Sequence, residues 1–433
     1  MKRIGSFGVF TIALGSVIGW GAFILPGTFF LQNAGVLNTL IGFFFGVIMI
    51  IIIERNYALL MTKHKGIGGE YNFATNEFGN ITGFVTGWLL LLAYISIIPL
   101  NATAVPMVLD KIIPTYSSGA LLYTVAGSPV FCNDLVVSIA TVLIFSIIQL
   151  KGLHCSTIFQ NIMVLILILC VLSLFFVTII AATPSQYQNL SSNQQTLNVK
   201  SIISIIAFIP WAFVGFDTVA QVKNESRISV KNLSVSTMLA IIFGGLIYNM
   251  LNVVTAFGVH HMALEEQTWP TGEAIASILG PTALIIIGLA MFGAVLSGLN
   301  GFFISATRLV SAIVMKKNTI STELNLIIWG VCLLSTLVPF FGRNALIWFV
   351  NVSSVGASFT YLVVTLAAFK ISNTTLTKIY SILGIICSTL FLVFLLTPFF
   401  GSSIPPISMV VLIGWLFLGG FVYFIFPHFK QNG

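Results

Sequence analysis

Two long apolar segments of this chain are each interrupted near the middle by residues that break helices. The first holds three glycines within Gly15–Gly21. The second, Ile202–Val222, contains Pro210 and Gly215 and also a carboxylate, Asp217. In a bilayer, backbone that leaves the helix needs new partners, so such breaks are tolerated only where they line a cavity or a ligand. We therefore expect both interruptions to belong to a binding site.

The composition places these segments in a membrane. Hydrophobic residues make up 58% of the 433 positions and charged residues only 7%, whereas a soluble domain has about 25% charged residues. No segment between the apolar runs is long enough to build a core of its own. The sequence therefore predicts an all-α integral membrane protein with residues 1–433 in a single transmembrane domain.

Apolar runs of about 20 residues, the length that crosses a bilayer, occur twelve times. The predicted spans are Val9–Leu31, Val36–Met61, Ile81–Leu109, Leu135–Leu150, Thr157–Ala181, Ile202–Val222, Val235–Gly258, Thr282–Met315, Leu324–Phe341, Ala345–Phe369, Ile379–Leu396 and Ile407–Phe426. Three connections between spans are long, namely residues 110–134, 184–200 and 260–280.

The basic residues predict the orientation, because Lys and Arg accumulate on the cytoplasmic side. With the N-terminus inside, only Lys111, Lys200 and Arg343 of the 18 Lys and Arg residues fall in outer segments. Both termini are then cytoplasmic, and the short tails favour a bacterial cytoplasmic membrane. The lysines are dispersed over many inner segments, which argues against nucleic acid as a partner.

Enzymatic or metal chemistry finds little support in the sequence. The five cysteines are scattered, and the five histidines fall at helix ends or in loops. His260 and His261 near Glu265 and Glu266 form the one candidate cluster, which we interpret as a solvated outer loop because no third ligand follows at helical spacing. The sequence predicts no enzyme, no metal site and no cofactor.

The first interruption offers backbone groups of both polarities. The N–H groups that start the second half-helix, near Trp20 and Gly21, suit a carboxylate, since the positive end of the helix dipole points there. The carbonyls that end the first half-helix, near Ile18, suit an ammonium group. Together the two ends predict a site for an α-amino acid.

Asp217 is the one carboxylate in the sixth run, and an ionisable group at membrane depth indicates a functional site. Three roles stay open: a gate on the inner side, a titrating proton site, or a cap for the helix after Gly215. Trp211 and Phe213 flank the second break and are well placed to cover a bound solute. Trp88 and Tyr94 on the third run and Phe302 on the eighth are further aromatic residues, of a kind that more often serves packing.

Four motifs in order along the chain resemble those of the amino acid–polyamine–organocation (APC) superfamily. Ile18–Pro26 (IGWGAFILP) is similar to the first-span pattern, and Gly68–Phe73 (GGEYNF) to the pattern after span two. Trp211–Asp217 (WAFVGFD) is similar to the sixth-span segment, and Ser297–Gly301 with Ala306–Leu309 to the eighth. The resemblance covers essentially the whole chain and includes bacterial amino acid permeases and the arginine–agmatine antiporter.

The resemblance implies a fold of two inverted five-helix repeats, as in LeuT-like transporters. Repeat one would cover about 9–181, repeat two about 202–369, and two peripheral helices about 379–426. Spans one and six would be discontinuous and hold the substrate between them.

The resemblance also implies site residues. Ile18, Gly19, Trp20 and Gly21 would bind the substrate carboxylate. The amino group and the aromatic cover would involve Trp211, Phe213, Val214, Gly215 and Phe302. Asp217 matches an acidic position of the antiporter.

Two departures from the family pattern bear on function. Trp20 stands where family members usually have a small residue, so the pocket is reshaped or narrowed. The span-five stretch Val164–Leu169 lacks the lysine of many proton-coupled members. This absence favours exchange against a counter-substrate, or a proton site at another residue such as Asp217.

The sequence thus predicts a secondary transporter that moves an amino acid or related amine by alternating access, as permease or antiporter, and as a monomer or homodimer. A polyamine or cationic amino acid exchanger is the alternative, since Asp217 favours cations whereas Trp20 favours small neutral substrates. A channel or an intramembrane enzyme fits less well.

Overall fold

The computed structural model describes residues 4–194, 196–260, 269–315, 323–397 and 404–425. Within these ranges the chain is helical except for one antiparallel hairpin of β1 (Leu121–Val125) and β2 (Ser128–Phe131). The helices are α1 (Ser6–Val17), α2 (Gly21–Leu25), α3 (Leu31–Asn33), α4 (Gly35–Lys63), α5 (Gly69–Phe78), α6 (Asn80–Ala102), α7 (Ala104–Ile112), α8 (Cys132–Leu150), α9 (Leu153–Ala181), α10 (Pro184–Ser192), α11 (Val199–Phe213), α12 (Thr218–Val222), α13 (Val230–Gly258), α14 (Pro270–Leu279), α15 (Ala283–Met315), α16 (Leu324–Leu337), α17 (Gly342–Ile371), α18 (Thr375–Leu396) and α19 (Pro406–Ile425). A π-helical turn, Pro26–Phe30, joins α2 to α3, and 3₁₀ turns cover Lys223–Glu225 and Val338–Phe341.

The helices match the predicted multi-pass architecture. Among the described residues, 11 helices are long and apolar enough to cross a membrane, and the bent pair Ser6–Val17 and Gly21–Asn33 makes a twelfth if it is one span. Their large exposed side chains are mostly Leu, Ile, Val and Phe, as expected for surfaces that face lipid rather than water. The structure confirms an all-helical membrane protein of about 11 to 12 spans.

The centre of the bundle is built around α1 and α6. Helix α1 packs against α9, α13 and α15, and α6 packs along α15 and α17. Small residues allow close approach: a Cβ on Gly293 would lie 2.7 Å from the backbone oxygen of Met163, and one on Gly356 2.8 Å from that of Leu89. Such close packing of small residues is typical of membrane helices.

The long connections between spans contain secondary structure that the sequence does not reveal. Residues 110–134 hold the β-hairpin, and the other two connections hold α10 and α14. Asn193 is fully buried, and its side-chain amide donates to the carbonyls of Ala256 and Val259 at 3.2 and 2.8 Å. This anchor ties the end of α10 to α13. The candidate cluster of His261, Glu265 and Glu266 lies outside the described residues.

Trp88 takes part in packing between two helices. Its indole stacks on that of Trp415 with ring centroids 4.5 Å apart, and each indole N–H donates to the other residue's backbone carbonyl at 2.9 and 3.0 Å. These contacts fasten α19 to α6. Trp88 is therefore an anchor between α6 and α19, in line with the expectation that such aromatic residues more often serve packing.

Candidate functional site

The first interruption is a sharp bend between two short helices. Helix α1 ends at Val17, Ile18 is extended with φ −97° and ψ 108°, and α2 begins at Gly21. The two helical pieces differ in direction by 49°. A Cβ on Gly21 would lie 2.3 Å from the Trp211 ring, so glycine is required there for the second interruption to approach.

The second interruption lies between α11 and α12. Pro210 sits inside α11, which ends at Phe213, and α12 begins at Thr218. Gly215 has φ +116°, a conformation that side chains with a Cβ rarely adopt. A Cβ here would also lie 2.5 Å from Cβ of Ser16 and 2.7 Å from its backbone carbon. The two interruptions are therefore in direct contact.

The first interruption leaves backbone groups unpaired. The N–H groups of Gly19 and Gly21, and the carbonyls of Val17 and Ile18, form no hydrogen bond with any residue that the structure describes. The N–H of Trp20 points to Oδ1 of Asn101 at 3.4 Å. Unpaired backbone groups of both polarities thus lie within four residues of each other, as a zwitterionic ligand requires.

A cavity of about 30 Å³ lies between the interruptions. Its walls are mainly apolar and aromatic, with Asn101 as the one side-chain amide. They are formed by Ser16, Val17, Gly19, Trp20, Gly21, Ile97, Leu100, Asn101, Trp211, Val214, Tyr248 and Phe302. This volume suits about one water molecule, whereas small-molecule pockets measure roughly 300 Å³ or more. The cavity is therefore closed in this conformation and too small for a ligand of ordinary size.

A second cavity, of about 500 Å³, lies on the other side of the two indoles. Trp20, Trp211 and Leu100 line both cavities, and the larger one continues along α2 past Leu25 and Thr28. The two tryptophans therefore separate the small central cavity from the larger one.

The predicted site residues occupy three different places. Those that line the small cavity are Gly19, Trp20, Gly21, Trp211, Val214 and Phe302. Ile18 and Phe213 are fully buried beside it, and Gly215 forms the contact with Ser16. Asp217 is 1% exposed and does not line the cavity. The geometry brings these residues together, and their roles in binding stay predictions.

Arg343, at the start of α17, packs against Trp20. Its Cζ lies 4.4 Å from the centroid of the Trp20 ring. Its Nη1 donates to Oγ1 of Thr103 at 3.0 Å and to the carbonyl of Leu100 at 3.4 Å. The buried Nη2 has no hydrogen-bond partner among the described residues. A guanidinium with a spare donor thus lies against a residue that lines both cavities.

Asp217 fixes the conformation of the second interruption. The Tyr94 hydroxyl donates to its Oδ2 at 2.5 Å, and the backbone N–H of Gly215 donates to its Oδ1 at 2.7 Å. The side chain forms no hydrogen bond with the first turn of α12, so its suggested role as a cap of that helix is wrong. The ring of Tyr94 lies 5.9 Å from that of Phe302, which connects Asp217 to the cavity wall.

Gln160 supports the first interruption from α9. Its side-chain amide donates to the carbonyls of Thr11 and Ser297, both at 3.1 Å, and its Oε1 accepts from Asn300 at 2.7 Å. A Cβ on Gly15 would lie 2.3 Å from its Nε2. A neutral amide therefore joins α1, α9 and α15 just before the bend.

The sequence reasoning missed Asn101, Arg343, Gln160 and Glu70 as site residues. Asn101 carried a signal, because an amide in an apolar span two residues after Pro99 marks a place where a helix can end, and α6 ends at Ala102. The other three depend on partners more than 100 residues away, which no local pattern reveals.

Comparisons with known proteins agree on one family of proteins. The family model described as "Amino acid permease" matches residues 8–319. The branched-chain amino acid permease BcaP of Bacillus subtilis is 24% identical over 100% of this chain and 94% of that relative. The vacuolar cationic amino acid transporter 2 of Arabidopsis thaliana is 25% identical over 70% of this chain and 48% of its own. The glutamate/serine transporter AimA of Bacillus subtilis is 30% identical over 24% of this chain and 19% of its own.

Proposed function

The chain belongs to the amino acid permease family, and on that basis we propose that it carries a neutral, apolar amino acid across the cytoplasmic membrane by alternating access. The substrate binds where the two interruptions meet. The observation that carries this proposal is the contact between Gly215 and Ser16, which brings two interrupted helices together around a closed cavity. Interrupted helices that meet in this way form the binding sites of many secondary transporters.

The backbone geometry supports an α-amino acid. The free N–H groups of Gly19 and Gly21 would receive the carboxylate, and the free carbonyls of Val17 and Ile18 would receive the ammonium group. In the fold we propose, the two interruptions open the two inverted repeats, so that rocking of one group of helices against the other exposes the site to each side in turn.

The side-chain environment favours a neutral substrate over a cationic one. The cavity walls are apolar, and Asp217, whose charge suggested cationic substrates, lies outside the cavity with both oxygens already bonded. Arg343, packed against Trp20, places a positive charge beside the cavity wall, which disfavours a cationic substrate. A cationic amino acid exchanger is the second candidate, supported by relatives named for cationic amino acids.

Purified protein reconstituted in liposomes tests this function. We expect counterflow of radiolabelled leucine or valine, measured with the unlabelled amino acid inside, and little counterflow of lysine or arginine. Counterflow separates a transporter from a channel, because a channel does not couple the two fluxes. Gly215→Val is the inactive control, because its side chain has no room against Ser16. Counterflow of lysine but not leucine would favour the cationic exchanger.

The same liposomes test coupling and direction. Uptake is compared with and without an inward pH gradient, with sodium replaced by choline, and with or without internal amino acid. Strict dependence on internal amino acid indicates an antiporter, and net uptake driven by the gradient indicates a proton-coupled permease.

A further inference from the structure

A second buried carboxylate lies next to Asp217. Glu70, at the start of α5, is 0% exposed. Its Oε2 accepts a hydrogen bond from the side-chain amide of Gln221 at 2.7 Å. Its Oε1 is buried and has no hydrogen-bond partner among the described residues. Asp217 is close enough that its charge acts on Glu70, so the two carboxylates form one electrostatic unit.

The surroundings of this pair are polar but uncharged. Tyr57 on α4 and Tyr361 on α17 face both carboxylates, and Tyr94 on α6 bonds Asp217. The hydroxyls of Tyr57 and Tyr361 are buried, with no hydrogen-bond partner in the part of the chain that the structure describes. The pair is therefore ringed by hydroxyl groups that can donate or accept a proton.

The nearby basic residues are engaged elsewhere. Lys223 donates to the carbonyls of Met61 and His64, and Arg308 forms a bidentate pair with Glu225. His64 lies 3.0 Å from an oxygen of Glu77. Among the described residues, no salt bridge or hydrogen bond joins a cation to Glu70 or Asp217. Two carboxylates this deeply buried without a cation are not both ionised, since each charge destabilises the other.

We propose that Glu70 and Asp217 hold one proton between them, and that this proton is carried with the substrate during transport. The inference rests on the proposed function and names its coupling ion. In the closed form the proton resides on Oε1 of Glu70. Asp217 is the ionised partner because the Tyr94 hydroxyl and the Gly215 N–H each hold one of its oxygens, at 2.5 and 2.7 Å, which stabilises the carboxylate form.

The site of the proton is supported by electrostatics. Burial, followed by the negative charge of Asp217, raises the pKa of Glu70 well above its usual range. The hydrogen bond from Gln221 acts in the opposite direction but is the smaller effect. Burial therefore favours the protonated form of Glu70 for as long as water is excluded.

The proton is linked to the substrate site through one hydrogen bond. Oδ1 of Asp217 holds the N–H of Gly215, and Gly215 contacts Ser16 of the first interruption. If the proton moves from Glu70 to Asp217, Asp217 becomes a weaker acceptor and its hold on Gly215 loosens. When the interruptions separate and water enters, the pair releases its proton on that side. Substrate release and proton release thus require the same movement.

The transport experiment uses three variants that keep the size of the side chain. Glu70→Gln imitates the protonated form permanently, and Asp217→Asn removes the partner charge. Glu54→Gln is the matched control, since Glu54 is an equally buried carboxylate bonded instead to Ser234. With one proton per substrate, an inward gradient of one pH unit sustains at most about tenfold accumulation of leucine at zero membrane potential.

We expect wild type and Glu54→Gln to accumulate leucine several-fold under this gradient, without sodium. Glu70→Gln should lose the accumulation but keep leucine counterflow, which needs no net proton movement. Accumulation by Glu70→Gln equal to wild type would overturn the proposal, and so would accumulation that requires sodium. If the wild-type protein showed no counterflow with any amino acid, the proposed transport function itself would be wrong.

A measurement without transport detects the proton directly. Infrared spectra of the purified protein at neutral pH should contain the carbonyl stretch of a protonated carboxyl group that disappears in Glu70→Gln. In Asp217→Asn this band should titrate at lower pH by about one unit or more, because the neighbouring negative charge is gone. Identical spectra for wild type and Glu70→Gln would show that Glu70 is ionised, and the proposal would be wrong.

Discussion

The guanidinium of Arg343 packs against Trp20, with Cζ 4.4 Å from the ring centroid. The two residues are far apart in the sequence, at the start of α17 and in the first interruption. Because Trp20 lines both cavities, this contact joins their shared wall to a helix outside the first interruption. It is positioned to hold the closed form.

Removing the guanidinium should open the route along α2. We expect Arg343→Gln to increase labelling of a cysteine introduced at Leu25, in the larger cavity, by a membrane-impermeant thiol reagent. A cation–π contact contributes about 0.5–2 kcal/mol, which corresponds to an increase of roughly 2- to 30-fold in the open fraction. Lys111→Gln, which removes an exposed outer cation, is the control. Equal labelling in both variants would contradict a closing role for Arg343.

Gly215 should tolerate no side chain. Gly215→Ala places a Cβ at φ +116° and 2.5 Å from Ser16, and strain of this kind costs on the order of 1–3 kcal/mol. We expect at least tenfold slower counterflow, together with a lower Tm in detergent. Gly414→Ala on α19 is the matched control, since its Cβ meets no atom within 4 Å. Loss of activity in both variants would mean that the assay reports folding in general.

Some features of the site can be predicted from the sequence alone. The break positions are encoded locally, since glycine at 21 and 215 and proline at 210 act on their own backbone, and the structure places helix ends beside each of them. The membrane class follows from composition and hydropathy in the same local way. Such features can be recognised in the sequence without knowledge of the fold.

Glu70 and Gln160 illustrate what the sequence does not reveal. Each is a single polar residue whose role depends on partners on other helices. Gln221 is 151 positions from Glu70, and Ser297 is 137 positions from Gln160. Asp217 was recognised as functional, yet its partners Tyr94 and Gly215 exclude the capping role only in three dimensions. The roles of these residues depend on contacts in the folded protein, and the local sequence pattern does not show them.

Trp20 should limit the size of the substrate. Its indole lines both cavities, so Trp20→Ser joins them and admits larger side chains. We expect phenylalanine and tryptophan to compete with leucine counterflow at least tenfold more strongly than in wild type, with leucine itself bound more weakly. Trp88→Phe is the control, because it loses the stacked pair with Trp415 far from the cavity. An unchanged order of competitors would show that Trp20 does not set the size limit.

Gln160 should be needed for the stability of the first interruption. Gln160→Ala removes the buried hydrogen bonds to the carbonyls of Thr11 and Ser297 and the one from Asn300, and each such bond contributes about 0.5–1.5 kcal/mol. We expect a clearly lower Tm in detergent and slower counterflow, because α1 loses its link to α9 and α15 just before the bend. Asn76→Ala, an exposed amide on α5 that bonds only within its own helix, should leave both measurements nearly unchanged. If Gln160→Ala behaved like Asn76→Ala, the first interruption would have to be held by the packing of Gly15 and its neighbours alone.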